Sequence, residues 1–251
     1  MRRLAVLILA AAALAACADR DADSMLDPVA ASAVPNGYGP AMSATYEVTI
    51  ENLTGGQPFT PALLATHRRP EGMFTVGQPA SFGLKEIAEN GNLGPMVTRL
   101  GGSGHVSDVV VAFGGSAPPI LPGETVVATI TTDRGAKYLS WASMLICTND
   151  GFSGLDGERL PQKVGDAVTL YTEAYDAGTE INTEDFADMV PPCPLLTGVP
   201  TSDPGTGASN PALAEGGVIH HHGGIQGGDD LDPIIHGWTG PLARIEVRRT
   251  H

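Results

Sequence analysis

Four stretches of this 251-residue chain hold side chains able to do chemistry. "VIHHHGGIQGGDDLD" places three consecutive histidines ahead of Asp229, Asp230 and Asp232. If residues 218–222 are extended, His220 and His222 project to one face and could chelate a transition metal, helped by His67 or His105. Three adjacent histidines are equally stable in a polar loop without a metal. The aspartates with their glycine neighbours could hold a cation or form a solvated turn. "GGSGHVSD" contains Ser103 and His105, the residue types of a nucleophile and base, although a glycine-rich turn accounts for them better. Finally, two apolar runs each end in an acidic loop: "KYLSWASMLICTNDGF", and "DAVTLYTEAYDAGTE" with Asp176 and Glu180. No Gly-x-Ser-x-Gly elbow, His-Glu-x-x-His helix, phosphate-binding glycine loop or Cys-x-x-Cys pair is present, so a non-enzymatic role is expected.

The three cysteines divide by context. Cys17 follows an apolar run, residues 4–16, behind Arg2 and Arg3; that run is too short to cross a bilayer, which takes about 20 residues. This is the anatomy of a secretory signal peptide, residues 1–16. Leu14-Ala15-Ala16-Cys17 resembles the bacterial lipobox, whose cysteine is acylated and becomes the new N-terminus. The competing reading is a soluble exported protein with a cysteine near its cleavage site. Acyl chains contribute about 0.8 kcal/mol per buried methylene, enough for permanent membrane attachment. Residues 17–43, rich in Ala, Asp, Pro and Gly, read as a flexible tether. The expected location is therefore the bacterial cell envelope, lipid-anchored on its periplasmic face or at the cell surface. Cys147 and Cys193 remain as a pair in an oxidising compartment. A disulfide between them would close a loop of about 46 residues and contribute roughly 3 to 4 kcal/mol; two free buried thiols are the alternative.

Residues 44–251 must supply the scaffold, as one domain. With 32 Gly and 20 Pro, the composition argues against long helices, and short strands joined by many loops are expected. A net charge of −14 with only 14 Lys and Arg argues against nucleic acid and favours divalent cations. In "TYEVTIENLT", Tyr46, Val48 and Ile50 alternate with Glu47, Thr49 and Glu51, the period of a half-buried strand. "SFGLKEIAENGN" has helical spacing, with Ser81 as cap and Asn90-Gly91 as stop. "VSDVVVAFGG" and "ETVVATITT" read as a hairpin around residues 118–123. Residues 191–217 form a Pro, Gly and Ser-rich excursion with little to bury, and "LARIEVRRT" a closing strand. Trp141 and Trp238 are core anchors or loop-tip aromatics that touch a ligand; in a chain this poor in aromatics, core duty is the better expectation.

"LICTNDGFSGLDG", "YTEAYDAGTE" and "GPLARIEVRR", in that order and preceded by "YEVTIENLTGGQPFTPALLATHRR", resemble the N-terminal spondin domain of F-spondin and mindin over residues 45–250. The resemblance implies an all-β fold, an antiparallel β-sandwich of about eight strands with small accessory helices, and a calcium ion held by loops at one end. It maps the ligands onto Asp150 and Asp176, with Asn149, Asp156 and Glu180 as further oxygen donors. Both aspartates could instead serve as turn caps. The animal domains also place an aspartate where this chain has "YLSWAS", leaving Ser140 or Ser143 at that position. The implied role is adhesion or extracellular ligand binding, with an unknown protein or glycan as partner. A His-based transition-metal-binding envelope protein is the alternative.

Overall fold

The computed structural model describes residues 43–113, 118–133, 135–203 and 205–251. The expected signal peptide, Cys17 and the expected tether up to residue 42 lie outside them.

Alternation of side chains builds the strands. In β1 (Ala44–Asn52), Tyr46, Val48 and Ile50 are buried while Glu47, Thr49 and Glu51 are not. β4 (Thr125–Thr132) and β9 (Ala243–Arg249) repeat the pattern on either side of it. β2 (Ala62–His67) and β5 (Tyr138–Met144), which pair with each other, are buried on both faces. β3 (Val106–Ala112), β6 (Gly151–Arg159), β7 (Ala167–Asp176) and the two-residue β8 (His220–His221) complete the nine strands of the described residues. All pairings are antiparallel, in the order β3-β2-β5-β6-β7-β9-β1-β4, with β8 added to β7.

β7 ties the two faces together. Its first half, through Thr172, pairs with β9, and its last four residues pair with β6. The sheet therefore folds over at β7 and almost closes where β3 meets β4. There the Asp108 carboxylate accepts hydrogen bonds from Thr131 N and Oγ1 (2.8 and 2.7 Å). The core between the faces holds Val48, Ile50, Phe59, Trp141 and Ile245, each fully buried. A side chain of this kind contributes about 1.5–3 kcal/mol by burial alone. This is the expected antiparallel β fold with small helices.

Residues 106–112 and 125–132 are strands, but they do not form a hairpin. β3 pairs with β2 and β4 with β1, at opposite ends of the strand order. The connection is too long for a tight turn, and Ile120 bridges to Phe59, which carries the chain across to the other face. Helix α1 (Phe82–Asn90) begins where Ser81 Oγ accepts from Leu84 N and ends at Gly91 in the left-handed conformation. A second helix, α2 (Gly94–Gly101), buries Met96 and Leu100 against the same cluster. Within residues 191–217 the short α3 (Pro192–Thr197) buries Cys193 and Pro194, so this excursion does contribute to a core. α4 (Pro233–His236) starts at an Asp232 cap.

The polypeptide enters the domain at Ala44 and ends beside it, with Thr45 N donating to the His251 carbonyl (3.1 Å). Along β1 the chain runs to Asn52, whose side chain bonds the Gln57 and Ile120 carbonyls (2.8 and 3.1 Å). Nine strand residues at about 3.3 Å each put this loop end roughly 26 Å from the termini.

Candidate metal centre

The loop end is organised by residues 145–150, between β5 and β6. Buried Gln57 grips this loop: its side-chain nitrogen donates to the Cys147 carbonyl (3.1 Å) and its oxygen accepts from Cys147 N (3.1 Å). Thr148 Oγ1 accepts from Gly151 N (2.9 Å) and donates to the Leu145 carbonyl (2.7 Å). Gly151 must be glycine here, since a Cβ would lie 2.5 Å from that hydroxyl. Cys147 is disulfide-bonded to Cys193, fastening the loop to α3.

This loop delivers Asp150 to the start of β6, beside the end of β7, where Gly151 pairs with Asp176 and Ala177 N donates to the Asp150 carbonyl (3.1 Å). Asp150 and Asp176, 26 residues apart in sequence, are thus neighbours, and both are buried. Asp150 Oδ2 accepts from Thr179 N (2.7 Å), Thr179 Oγ1 (3.1 Å) and Glu180 N (3.0 Å). Its Oδ1 is buried and has no hydrogen-bond partner. Asp176 Oδ1 accepts from Gly178 N (2.7 Å) and Oδ2 from Asn182 Nδ2 (2.6 Å). Burial, and then the neighbouring Asp176 charge, push the Asp150 carboxyl up to about 6 against the opposing pull of its amide donors.

The other expected donors separate from this pair. Asn149 is in the same loop, but its amide is turned to Thr183, donating to Oγ1 and accepting from N (both 3.1 Å). The Glu180 carboxyl takes the Asn210 N–H (2.7 Å); burial first, with nearby Glu89 and Asp150, raises it to about 7. Asp156 does not join the group. It sits six residues beyond Asp150 in β6, held by Met73 N and Ser140 Oγ, because the intervening strand is extended. Ser140 also meets His67 Nε2 (2.7 Å), and Ser143 donates to the Thr60 carbonyl (2.7 Å), so neither serine supplies an oxygen next to Asp150.

The histidine tract comes to the same place by strand pairing. β8 sets His220 opposite Asp176 and His222 opposite Ala174. His220 and His222 share a face, and His220 Nδ1 lies 3.7 Å from Asp176 Oδ1. They do not converge as metal ligands with Asp176. Among the described residues, the sets of three His, Cys, Asp or Glu ligand atoms within 4.8 Å of one another are Cys147, Cys193 and His236, whose cysteines are oxidised, and half-buried Asp185 with exposed Asp203 and Asp230. Asp232 serves as the α4 cap. His67 is committed to Ser140, and Ser103 donates to Glu71 (2.6 Å), leaving no nucleophile and base pair with His105.

The crevice beside the carboxylates is lined by Thr148, Asn149, Asn182, Glu184 and His222, with Met189, Ile225 and Leu231 behind. Glu184 ties it to residues 226–231: its oxygens accept from Gln226 N and Gly228 N (both 2.6 Å) and its carbonyl from Asp230 N and Leu231 N. That role requires a φ of +60° at a non-glycine residue, a cost few sites accept. Neither Glu184 nor Asn182 stands out in the sequence, where both belong to an unremarkable polar run.

A calcium ion fits this donor set on one count above all: a hard cation takes carboxylate and amide oxygens, and Asp150 presents an orphaned buried one. No curated protein matches the chain. Residues 52–189 match the Spondin_N family, a span that includes Asp150, Asp176, Glu180 and Cys147 and stops before the histidine tract. Since this is more than half of the 251 residues, the chain belongs to the spondin N-terminal domain family.

Proposed function

We propose that this domain holds a calcium ion between Asp150 and Asp176 and that the end so ordered binds an extracellular partner, as an adhesion module without catalytic activity. The observation that carries the reading is the Asp150 carboxylate, fully buried against a second carboxylate with one oxygen left without a partner. Removing an ionised group from water without pairing it is costly, and a divalent cation at that oxygen removes the cost. Asp150 and Asp176 hold the ion, Asn182 and the loop carbonyls complete its oxygen shell, and the ion in turn braces the β6 and β7 loops.

Membership of the spondin family fits an extracellular or surface role, and no helix of the described residues is long and apolar enough to cross a membrane. In this reading an acylated Cys17 anchors the chain to the bacterial envelope. The domain's termini emerge opposite the carboxylate end, so an anchor on that side leaves the binding end facing outward.

Thermal melting of the full chain with calcium, with chelator and with zinc tests the assignment. Calcium raises the midpoint, chelator reverses the rise, and Asp176→Ala abolishes it. A melt indifferent to calcium but raised by zinc, with the rise lost in His222→Ala, replaces calcium with the imidazole chemistry.

A further inference from the structure

Next to the carboxylates lies a second feature, an open cleft of about 580 Å³ between β7 and residues 238–242, which shares His222 with the crevice beside the carboxylates. Its walls carry Tyr171, Glu173, His221, His222 and Trp238. These side chains are held before any ligand arrives. His221 Nδ1 is 2.9 Å from Glu173 Oε2, and its ring packs on Tyr175 with centroids 5.2 Å apart. His222 accepts the Gly224 N–H at Nδ1 (3.0 Å) and meets Trp238 edge to face at 5.3 Å. Trp238 in turn packs against two apolar clusters of the core. Only Tyr171 projects freely, with 58% of its surface exposed.

The chemistry of this lining selects among ligands. Its volume is that of a small-molecule site. No Lys or Arg lines it, so nothing there pairs with a phosphate, sulfate or carboxylate, which are recognised by such groups. Glu173 adds negative charge and repels them. Aromatic faces are electron-rich and attract the polarised C–H bonds on one face of a pyranose ring, while a carboxylate and imidazoles accept and donate hydrogen bonds to hydroxyls. Preset side chains keep the ordering cost of binding low.

We propose that this cleft binds a neutral sugar residue, with Trp238 and Tyr171 as the aromatic surfaces and Glu173 and His221 as the hydroxyl partners. It names the ligand class of the binding role given above and rests on that role, but uses residues that hold no calcium.

The full chain is applied to an array of neutral oligosaccharides of glucose, galactose, mannose and N-acetylglucosamine, printed beside sialylated and sulfated ones. Neutral arms that bind are then titrated by isothermal titration calorimetry, which reads the Trp238 variants as well as the wild type. In the wild type a change in tryptophan fluorescence on binding also reports Trp238, since Trp141, the other of the two tryptophans, is fully buried. Binding by neutral arms is expected, weakened at least tenfold by Tyr171→Ala and by Trp238→Ala and held within about threefold by Trp238→Phe, which keeps an aromatic face. Failure of every neutral arm, binding by acidic arms only, or unchanged affinity in both alanine variants overturns the proposal. Tyr171→Ala alters an exposed side chain and keeps the test valid should Trp238→Ala fail to fold. Sugar binding by a chain whose melt ignores calcium refutes the calcium site and leaves the cleft; a calcium shift without sugar binding does the reverse.

Discussion

If calcium binds Asp150 as proposed, it competes there with protons, and the pH dependence of the calcium effect follows from the position of that carboxyl. With its titration near 6, about one molecule in ten has Asp150 ionised at pH 5 and nearly all do at pH 7.5, so apparent calcium affinity falls about tenfold, or about 1.4 kcal/mol, on acidification. At free calcium set to about 100 times the dissociation constant measured at pH 7.5, the ion stabilises the fold by about 2.7 kcal/mol there and by about 1.4 kcal/mol at pH 5. For a domain of this size, at about 2–4 °C per kcal/mol, that is a rise in Tm of roughly 5–11 °C at pH 7.5 against roughly 3–6 °C at pH 5. Without calcium the sign reverses. The folded chain binds the Asp150 proton more tightly than the unfolded chain, whose carboxyl titrates near 3.8. This contribution to stability is full below about pH 4 and lost as pH rises through 6, by about 3 kcal/mol at most. Glu180, raised to about 7, acts in the same direction. Asp150→Asn removes the buried charge, so the calcium-free variant is more stable than the wild type at pH 7.5 and gains nothing from calcium. Differential scanning calorimetry at the two pH values, with and without the ion, measures all four quantities. Equal calcium shifts at pH 5 and 7.5, or an Asp150→Asn chain no more stable than the calcium-free wild type at pH 7.5, refutes the reasoning.

Replacing both Cys147 and Cys193 by Ser opens a linkage spanning 46 residues; equilibrium denaturation should show a loss of roughly 3–4 kcal/mol, together with weaker calcium binding because the Asp150 loop loses its tie to α3. Asp156→Ala leaves the Met73 amide and the Ser140 hydroxyl short of a partner and should cost about 1–3 kcal/mol, while the calcium shift in Tm stays as in the wild type; a lost shift would return Asp156 to the ion. Gly151→Ala forces a Cβ against Thr148 Oγ1, and a denaturant midpoint reporting a loss of about 1–3 kcal/mol is expected. Ser81→Ala removes the α1 cap and should lower stability by about 0.5–2 kcal/mol in the same measurement.

Where burial alternates with residue number, the sequence was a sufficient guide. Tyr46, Val48 and Ile50 point inward as their spacing demands, and Ser81 and Gly91 delimit α1 because capping is a local interaction. β6 was harder to see. "GFSGLDGER" has three glycines and no run of β-branched residues, and it is a strand because β5 and β7 pair with both its edges. The failed hairpin has the same origin: β3 and β4 have strand composition, but their partners are chosen by the Phe59–Ile120 bridge, which no local pattern encodes. At the candidate centre, Asp150 and Asp176 were legible because each lies in or at an acidic loop that follows an apolar run and because the spondin resemblance maps onto them. Their separation from Asp156 was not, since sequence proximity converts to distance only once the strand is known to be extended. Glu184 and Asn182 act through long-range contacts to residues 226–231 and to Asp176, and nothing in their immediate neighbours marks them.

The aspartates and histidines read as rival metal sites in the sequence, yet strand pairing makes them neighbours, and this bears on what the carboxylates require. Elsewhere in the domain several acidic side chains have a basic partner: Glu89 has Lys85 (3.1 Å), Glu71 has Arg99 (2.6 Å), and half-exposed Asp133 and Glu51 have Arg68 and Arg244; buried Glu180 and Glu184 have backbone amide donors instead. Asp150 and Asp176 are more deeply buried than most of these, and the one ion-pairing group within 4 Å among the described residues is the His220 imidazole at 3.7 Å. His222, the next candidate, does not supply a positive charge. Burial pushes its titration below the ordinary imidazole value, outweighing the upward pull of Asp176, so it is neutral at physiological pH. The protein's own side chains thus leave two adjacent carboxylates under-compensated in a site with little water. In the reading proposed above, a cation from solution would meet that need, and an oxygen-rich donor set on the ends of β6 and β7 would favour calcium over metals that prefer nitrogen.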